Sequence, residues 1–309
     1  MRRSRRGAKS PHETDVRMNR LARVVLWMAG ALLSFSAMAV SIRMLASRLN
    51  IFEILSIRSG TGLLIILALL AVRRDLRPLV RPRRMSLNLL RNVVHFGAQY
   101  CWAMALTLLP FATVFALEFT SPAWTALLAV WLLSERLTPS RIGAVILGLI
   151  GVAIILRPGL VVFNPAVLLV LLAAVGFAMV FIATKMLTAT EPSIAIVFWM
   201  AAIQLPLGLA GSDPLFPFKL GWWDIPAVLG LGIGGTTSHY CLSNAFRAGD
   251  ATLVVPLDFL RVPVIALMGW AFFAEPLDIW VFVGGFVIMA GLFWNLQAEA
   301  NSRVRVLNT

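Results

Sequence analysis

The stretch YCWAMALTLLPFATVFALEFTSPAWTALLAVWLLSERL, from Tyr100 to Leu137, recurs in altered form as YCLSNAFRAGDATLVVPLDFLRVPVIALMGWAFFAEPL, from Tyr240 to Leu277. The two stretches align without a gap, and ten of the aligned positions are identical. The identical positions include both tyrosines and both cysteines of the chain. Apolar composition alone would not bring such rare residues into register, so the pattern indicates two copies of one structural unit.

The duplication extends upstream of these stretches. The segment Arg43–Leu45 (RML) matches Lys185–Leu187 (KML) in nearly the same register. Each copy is therefore longer than the stretch that aligns best, and the two copies together account for most of the chain.

The composition excludes a water-soluble fold. Of 309 residues, 60% are hydrophobic and only 13% are charged, with a mean hydropathy of +0.86. Soluble domains carry about 25% charged residues, so lipid must be the main solvent of this chain. The net charge of +13 is concentrated in basic runs that flank apolar stretches. Such runs are typical of orientation signals and not of a nucleic-acid-binding face.

Ten apolar runs are predicted to be transmembrane helices, since a helix needs about 20 apolar residues to cross the hydrocarbon core. The predicted fold is an all-α integral membrane protein with five helices in each half. The runs are Val24–Ile42, Ile54–Val72, Asn92–Leu109, Phe111–Ser134, Ile142–Leu156, Pro165–Thr184, Ile194–Ala210, Ile225–Phe246, Ala251–Ala274 and Leu277–Gln297.

The basic residues predict the orientation. With the N-terminus inside, most of the Lys and Arg side chains fall on the cytoplasmic side, including the loop Arg73–Arg91, and only four fall on the opposite side. Basic residues in short loops mark the cytoplasmic side, so we expect an inner-membrane protein with both termini in the cytoplasm. Because five is an odd number, the second half must start on the side where the first ends. The two halves are therefore predicted to have inverted topologies.

This gives a simple domain prediction. Residues 1–23 form a basic cytoplasmic tail, 24–157 the first repeat with helices one to five, 164–297 the second repeat with helices six to ten, and 298–309 a second cytoplasmic tail.

Residues 91–159 resemble an EamA repeat of the drug/metabolite transporter superfamily. The matching features are an Ala-Leu pair before a short loop, a proline in the fourth helix, and Glu135–Leu137 ahead of a glycine-rich fifth helix. The second half repeats them with Ala245-Phe246, Pro263 and Glu275–Leu277. The resemblance implies ten helices, cytoplasmic termini and transport of a small metabolite, by export in many members and by uptake in others.

A weaker similarity concerns the substrate. Asn164-Pro165 and the stretch Ala173–Met179 are similar to the S-adenosylmethionine uptake branch of the superfamily. Riboflavin and amino-acid-like substrates are equally compatible with the resemblance.

Two carboxylates are the leading site candidates, because ionisable groups inside a membrane are expensive to bury and usually functional. Glu118 and Asp258 occupy equivalent positions of the two repeats. Nearby prolines should break both helices and so mark a binding site; these helix-break candidates are Pro122, Pro256 and Pro263. The carboxylates are interpreted either as groups that contact substrate or a coupled proton, or as structural partners, with Arg261 neutralising Asp258 and Arg58 neutralising Glu118.

A second group of candidates lies on the third and eighth helices. His95 and Gln99 are one turn apart, and His239 is the repeat equivalent of Gln99. They are interpreted as the lining of a cavity, with histidine as a proton-coupling group, or as hydrogen bonds that join helices. Tyr100 and Tyr240 either face this cavity or anchor helix packing.

Glycines on the fifth and tenth helices permit close helix contacts, within the chain or between the protomers of a homodimer. The glycines are Gly143, Gly148, Gly151, Gly284, Gly285 and Gly291. The other expected partners are a small-molecule substrate and membrane lipid.

These features favour a secondary transporter that works by alternating access, with or without a coupled proton. The chain has no P-loop signature for nucleotide binding, and we expect no cofactor, metal ion or catalytic residue. The alternative is a membrane-embedded enzyme that acts on a lipid or prenyl substrate. Such enzymes need clustered carboxylates or His/Asp pairs, whereas the loop acids of this chain are isolated.

Overall fold

The computed structural model describes residues 11–133, 138–157, 164–248, 257–258 and 260–307. Within these ranges the regular structure is helical, with no β-strand. The α-helices are α1 (Pro11–Leu45), α2 (Ile51–Val72), α3 (Met85–Leu108), α4 (Phe111–Glu118), α5 (Ser121–Leu133), α6 (Pro139–Leu156), α7 (Ala166–Thr188), α8 (Ser193–Ala210), α9 (Ile225–Ala248), α10 (Arg261–Phe273) and α11 (Ile279–Leu307). Leu257 and Asp258 are also helical, and short 3₁₀ turns lie at Arg74–Val80, Phe216–Lys219 and Trp222–Asp224.

The helix boundaries repeat in the same register as the sequence. In the alignment that pairs Tyr100 with Tyr240, both ends of α3 coincide with the ends of α9, and both ends of α5 coincide with the ends of α10. The start of α6 likewise coincides with the start of α11. The predicted all-α fold and the internal duplication are thus confirmed.

Helices of the first half pack mainly against helices of the second half. The principal pairs are α1 with α9, α3 with α7, α2 with α8, and α6 with α11. The α2–α8 pair runs antiparallel: residues 52, 56 and 60 on α2 face residues 211, 208 and 205 at and before the end of α8, in that order. Because α2 and α8 are equivalent helices of the two repeats, equivalent elements run in opposite directions.

Four described helices are long and apolar enough to cross a membrane: Ala22–Leu45, Ile51–Val72, Ala166–Thr184 and Ile279–Ala298. The apolar segments Ile142–Leu156, Ile194–Ala210 and Arg261–Phe273 are shorter. The chain is therefore a membrane protein. Helix length and hydropathy alone do not give the predicted ten crossings, since four of the described helices meet both requirements.

The division of the fourth predicted helix lies where the prolines predicted a break. α4 ends at Glu118 and α5 starts at Ser121, so Pro122 occupies the first turn of the second segment. In the second repeat α10 starts at Arg261, with Pro263 in its first turn. Proline is well tolerated there because the first amide groups of a helix have no intrahelical acceptor. Pro256 lies outside the described residues.

Two details of the helix ends go beyond the sequence analysis: the predicted tails contain helix, and the loop before α3 is shorter than predicted. α1 begins at Pro11 and α11 continues to Leu307, so helix extends into both predicted tails. Arg91 was counted with the cytoplasmic loop charges, but it is buried within α3. That loop assignment is wrong for Arg91, because basic residues near an apolar run do not reveal where the helix begins.

Glu191 joins the connection between α7 and α8 to the start of α3. Its buried carboxylate accepts hydrogen bonds from the backbone N–H groups of Arg83 (3.0 Å) and Arg84 (2.8 Å) and from the Asn88 amide. Burial alone would raise the pKa of Glu191, but these hydrogen bonds outweigh it and the pKa is lowered.

This pKa shift makes a testable prediction. Stability from a carboxylate with a lowered pKa is present above its unfolded pKa, about 4.3, and is lost as the pH falls through the folded pKa. Glu191→Gln should therefore be less stable than wild type by about 1 kcal/mol at pH 7, and the difference should shrink below about pH 4. Thermal unfolding in detergent at both pH values measures it. Asp75→Asn is the control, since the exposed Asp75–Arg73 pair is screened by water. A difference that is the same at both pH values would contradict the prediction.

Candidate functional site

A three-charge cluster forms where the helices break. Arg261, the first residue of α10, lies between the repeat-equivalent carboxylates of Glu118 and Asp258. Its Nη1 is 3.6 Å from Glu118 Oε1, and its Nη2 donates a hydrogen bond to Asp258 Oδ2. One guanidinium thus serves both carboxylates. The predicted Asp258–Arg261 pair is present, whereas the suggested Arg58–Glu118 pair is not: Arg261 takes that place.

Aromatic side chains surround this cluster. The Trp102 indole donates a hydrogen bond to Glu118 Oε2 at 2.8 Å. The Arg261 guanidinium carbon lies 4.3 Å from the ring centroid of Phe35, and the rings of Phe115 and Phe119 are also within cation–π range. Only 6% of the Arg261 side chain is exposed. Two carboxylates and one guanidinium leave the cluster with one excess negative charge when both acids are ionised.

A second polar cluster lies on α3 and its neighbours. Arg58 on α2 donates through Nη1 to Gln99 Oε1 at 2.8 Å. The Gln99 amide nitrogen faces His95 Nε2 at 2.9 Å, and the Gln204 amide on α8 faces His95 Nδ1 at 3.0 Å. All four side chains are buried. His95 and Gln99 are therefore hydrogen-bonded to each other, and the network of four side chains joins α2, α3 and α8.

This network selects one protonation form of His95. Because Gln99 Oε1 accepts from Arg58, its amide nitrogen can only donate to His95, so Nε2 must be the unprotonated acceptor. The proton then resides on Nδ1. This assignment turns the Gln204 amide so that its oxygen accepts from Nδ1–H, and it gives up the 3.5 Å contact between the amide nitrogen and the Asn92 backbone oxygen. Neutral His95 with an Nδ1–H group is the form that satisfies all three partners.

His239 and Gly235 on α9 connect the two clusters. The Gly235 backbone faces Arg58 so closely that a Cβ there would lie 3.0 Å from the guanidinium Nε. One turn further along α9, the His239 ring packs edge-on against Phe35, with ring centroids 5.5 Å apart. Phe35 in turn lies under Arg261. Residues of α9 and α1 therefore lie between the two clusters.

The two tyrosines make aromatic contacts. The Tyr100 ring lies 4.8 Å from that of Phe52. Tyr240 is 63% exposed and its ring contacts Trp27 edge-on at 5.9 Å. These contacts favour the packing interpretation of the sequence over the cavity-lining one.

The buried amides Asn88 and Asn92 on α3 were missed by the sequence analysis. Asn88, Asn92, His95 and Gln99 lie at spacings of four, three and four, so they form one buried stripe on α3. Arg91 extends this stripe, donating to Asn92 Oδ1 at 2.6 Å and to Thr184 Oγ1 at 2.8 Å. The helical spacing was visible in the sequence, but a search that starts from ionisable groups found only the amide Gln99 beside His95 and passed over Asn88 and Asn92.

Arg43 forms a further network at the end of α1. It donates to the backbone oxygens of Leu106 and Leu109 and to the Glu275 carboxylate, which also accepts from the Phe111 N–H at 2.9 Å. The sequence contains a signal for this contact, because a basic residue (Arg43 and Lys185) and an acidic residue (Glu135 and Glu275) recur at matching places in the two repeats. Glu135 and the Lys185 side chain lie outside the described part of the structure.

The glycines of the fifth and tenth predicted helices face each other within the chain. A Cβ on Gly151 would lie 2.5 Å from the backbone oxygen of Gly284, and a Cβ on Gly284 would lie equally close to the oxygen of Gly151. Gly143 and Gly291 also contact the opposing helix. Gly143, Gly151, Gly284 and Gly291 therefore support the α6–α11 contact within the chain.

No group of three or more His, Cys, Asp or Glu side chains within the described ranges is arranged to hold a metal ion.

Comparison with known proteins identifies the family. The sequence profile of the EamA-like transporter family matches residues 22–157 and 164–297, once in each half. An S-adenosylmethionine uptake transporter of Rickettsia felis is 26% identical over 279 residues, covering 90% of this chain and 94% of that protein. A riboflavin transporter of Brucella anthropi is 29% identical over 285 residues, covering 89% and 99%.

Two further comparisons extend this result. A pseudopaline exporter of Pseudomonas aeruginosa is 26% identical over 261 residues, covering 83% of this chain and 89% of that protein. A solved crystal structure with 20% sequence identity superposes with a TM-score of 0.61, covering 92% of this chain and 99% of that one; this likeness concerns the fold alone. The EamA resemblance is thus confirmed, and these curated relatives are named as transporters and not as enzymes. The chain is a membrane protein of the EamA-like transporter family.

Proposed function

We propose that the protein is a secondary transporter of a small, amino-acid-like metabolite, with S-adenosylmethionine as the leading substrate. The observation that carries the proposal is the pair of buried polar clusters between the two halves, around Arg58 and around Arg261. Buried charges inside a membrane protein usually line a substrate or ion pathway.

The architecture proposed here has ten transmembrane helices in two inverted repeats, with both termini in the cytoplasm and the chain in the inner membrane. The antiparallel contact between the equivalent helices α2 and α8 supports the inversion. Inverted repeats and interrupted helices at matching places are the arrangement in which secondary transporters bind substrate near the membrane midplane. Rocking of one repeat against the other would expose the clusters alternately to the two sides.

His95 is the candidate for proton coupling. A proton added at Nε2 would face the Gln99 amide nitrogen, so the amide would have to turn and release Arg58. Protonation and the Arg58 contact would thereby be mutually exclusive. If substrate entry into vesicles leaves the pH of their lumen unchanged, this coupling is wrong.

Neutralising either carboxylate should impair transport. Glu118→Gln and Asp258→Asn each remove a charge that pairs with Arg261, and we expect at least a tenfold loss of uptake rate, since a charge-assisted hydrogen bond contributes about 1.5–3 kcal/mol. Transport of labelled S-adenosylmethionine across the bilayer of proteoliposomes measures the effect. The substrate gradient is set inward in one assay and outward in another. Asp224→Asn, in the pair with exposed Arg48, is the control. Wild-type uptake by both variants, with equal protein in the vesicles, would leave the carboxylates with a structural role only.

A further inference from the structure

Arg58 is a buried cation without an acidic partner. Only 6% of the residue is exposed, and within the described residues no carboxylate lies within 4.0 Å of its guanidinium. Among the described residues, its side-chain hydrogen bond goes to the neutral amide of Gln99, and none of them is a partner of its Nε. Arg261 is equally buried but lies between two carboxylates.

An arginine in this position needs an anion. The guanidinium stays charged at any physiological pH, and a buried charge without a counter-charge is strongly unfavourable. The hydrogen bond to Gln99 orients the guanidinium but adds no compensating charge. The planar fork of Arg is matched to a carboxylate, which it binds through two parallel hydrogen bonds.

We propose that Arg58 binds the carboxylate of the transported molecule. This assignment rests on the proposed transport function and specifies the class of substrate: a small zwitterion with an α-carboxylate. Gly235 lets α9 pack closely against Arg58, since a Cβ at that position would lie 3.0 Å from the buried Nε.

The second cluster supplies the opposite pole. The two clusters are linked by contacts: Gly235 lies against Arg58, His239 follows one turn later on α9 and packs against Phe35, and Phe35 contacts Arg261. When both acids are ionised, the cluster around Arg261 carries one excess negative charge, which suits an ammonium or sulfonium group. The aromatic rings around Arg261 suit an apolar or planar body. Riboflavin has neither a carboxylate nor a cationic group, so this arrangement favours an amino-acid-type substrate over it.

The test compares S-adenosylmethionine with its decarboxylated analogue, which keeps the sulfonium, the amine and the adenosine. The full-length protein in lipid nanodiscs is titrated with each compound by calorimetry, and riboflavin is included in the panel. We expect wild type to bind the carboxylate form about 10- to 100-fold more tightly than the analogue. Arg58→Gln should abolish this preference by weakening S-adenosylmethionine binding alone.

Two further variants make the test decisive. Arg58→Lys keeps the positive charge but loses the fork, so it should fold even if Arg58→Gln does not, and it should lose part of the preference. Arg48→Gln removes an exposed arginine just before α2 and should bind both compounds as wild type does.

Three results would overturn the assignment. Wild type could bind both compounds equally, or the Arg58 variants could lose both compounds alike, and either result would leave Arg58 with a structural role while the transport function stands. The third result is that wild type neither binds any member of the panel nor carries one across the bilayer of vesicles. It would show that the proposed function itself is wrong, and it would overturn the Arg58 assignment as well.

Discussion

Replacing Arg261 with Gln should lower the free energy of unfolding by about 3–5 kcal/mol and abolish transport. The substitution leaves the carboxylates of Glu118 and Asp258 buried together without their shared cation. Removing one partner of a buried ion pair is strongly destabilising because an uncompensated charge stays behind. Thermal unfolding and uptake assays on the purified variant measure the two effects.

Two comparisons separate charge from packing at this site. The triple variant Glu118→Gln, Asp258→Asn, Arg261→Gln removes all three charges, so it should recover most of the lost stability while transport stays absent. Arg48→Gln, which breaks an exposed ion pair with Asp224, should change stability by less than about 1 kcal/mol. If Arg261→Gln were as stable as Arg48→Gln, the cluster could not be a buried ion-pair network.

The second large effect is expected at the contact between α6 and α11. Gly151→Ala should destabilise the protein by about 1–3 kcal/mol, because the added methyl group would lie only 2.5 Å from the backbone oxygen of Gly284 and the helices would have to move apart. A backbone atom cannot rotate out of the way as a side chain can. Thermal unfolding of the purified variants in the same detergent measures this loss.

The same chain offers matched controls. Gly148→Ala lies one turn earlier on α6, where a Cβ meets only Ala123 at 3.8 Å, and Gly97→Ala on α3 meets nothing within 4 Å. Both should be neutral or stabilising by up to about 1 kcal/mol, since Ala is the better helix former. Gly284→Ala should behave like Gly151→Ala, and the double variant should lose less than the sum, since both substitutions push the same helices apart. Equal effects at Gly148 and Gly151 would refute the close contact.

Local patterns in the sequence predicted the duplication and the helix breaks. The register of the rare residues Tyr100 and Tyr240 anticipated an alignment that the helix ends reproduce. Pro122 and Pro263 anticipated the division of the fourth predicted helix and the start of α10, because a proline acts on its own backbone. Both features can be read from the order of residues along the chain, which is why the sequence suffices.

The partners of the charged residues could not be predicted in the same way. Arg261 was correctly matched to Asp258, three positions away on one helical face. Arg58 was matched to Glu118, yet it contacts Gln99, because such a pairing depends on which helices become neighbours. Gln204 illustrates the same limit, since nothing local indicates that this amide of α8 faces His95.

The pairing of helices also bears on the origin of the two halves. α2 contacts its own repeat equivalent α8, α6 contacts its equivalent α11, and the α1–α9 contact has its counterpart in α3–α7. Each half therefore uses the same set of helix surfaces to contact the other half. Such a self-complementary surface is typical of a two-fold symmetric dimer. One half alone carries both sides of the contact, so two separate copies inserted in opposite orientations have the surfaces needed to assemble. Fusion of such copies into one chain would then free each half to diverge, as Glu118 and Arg261 have diverged from Asp258 and Ser121.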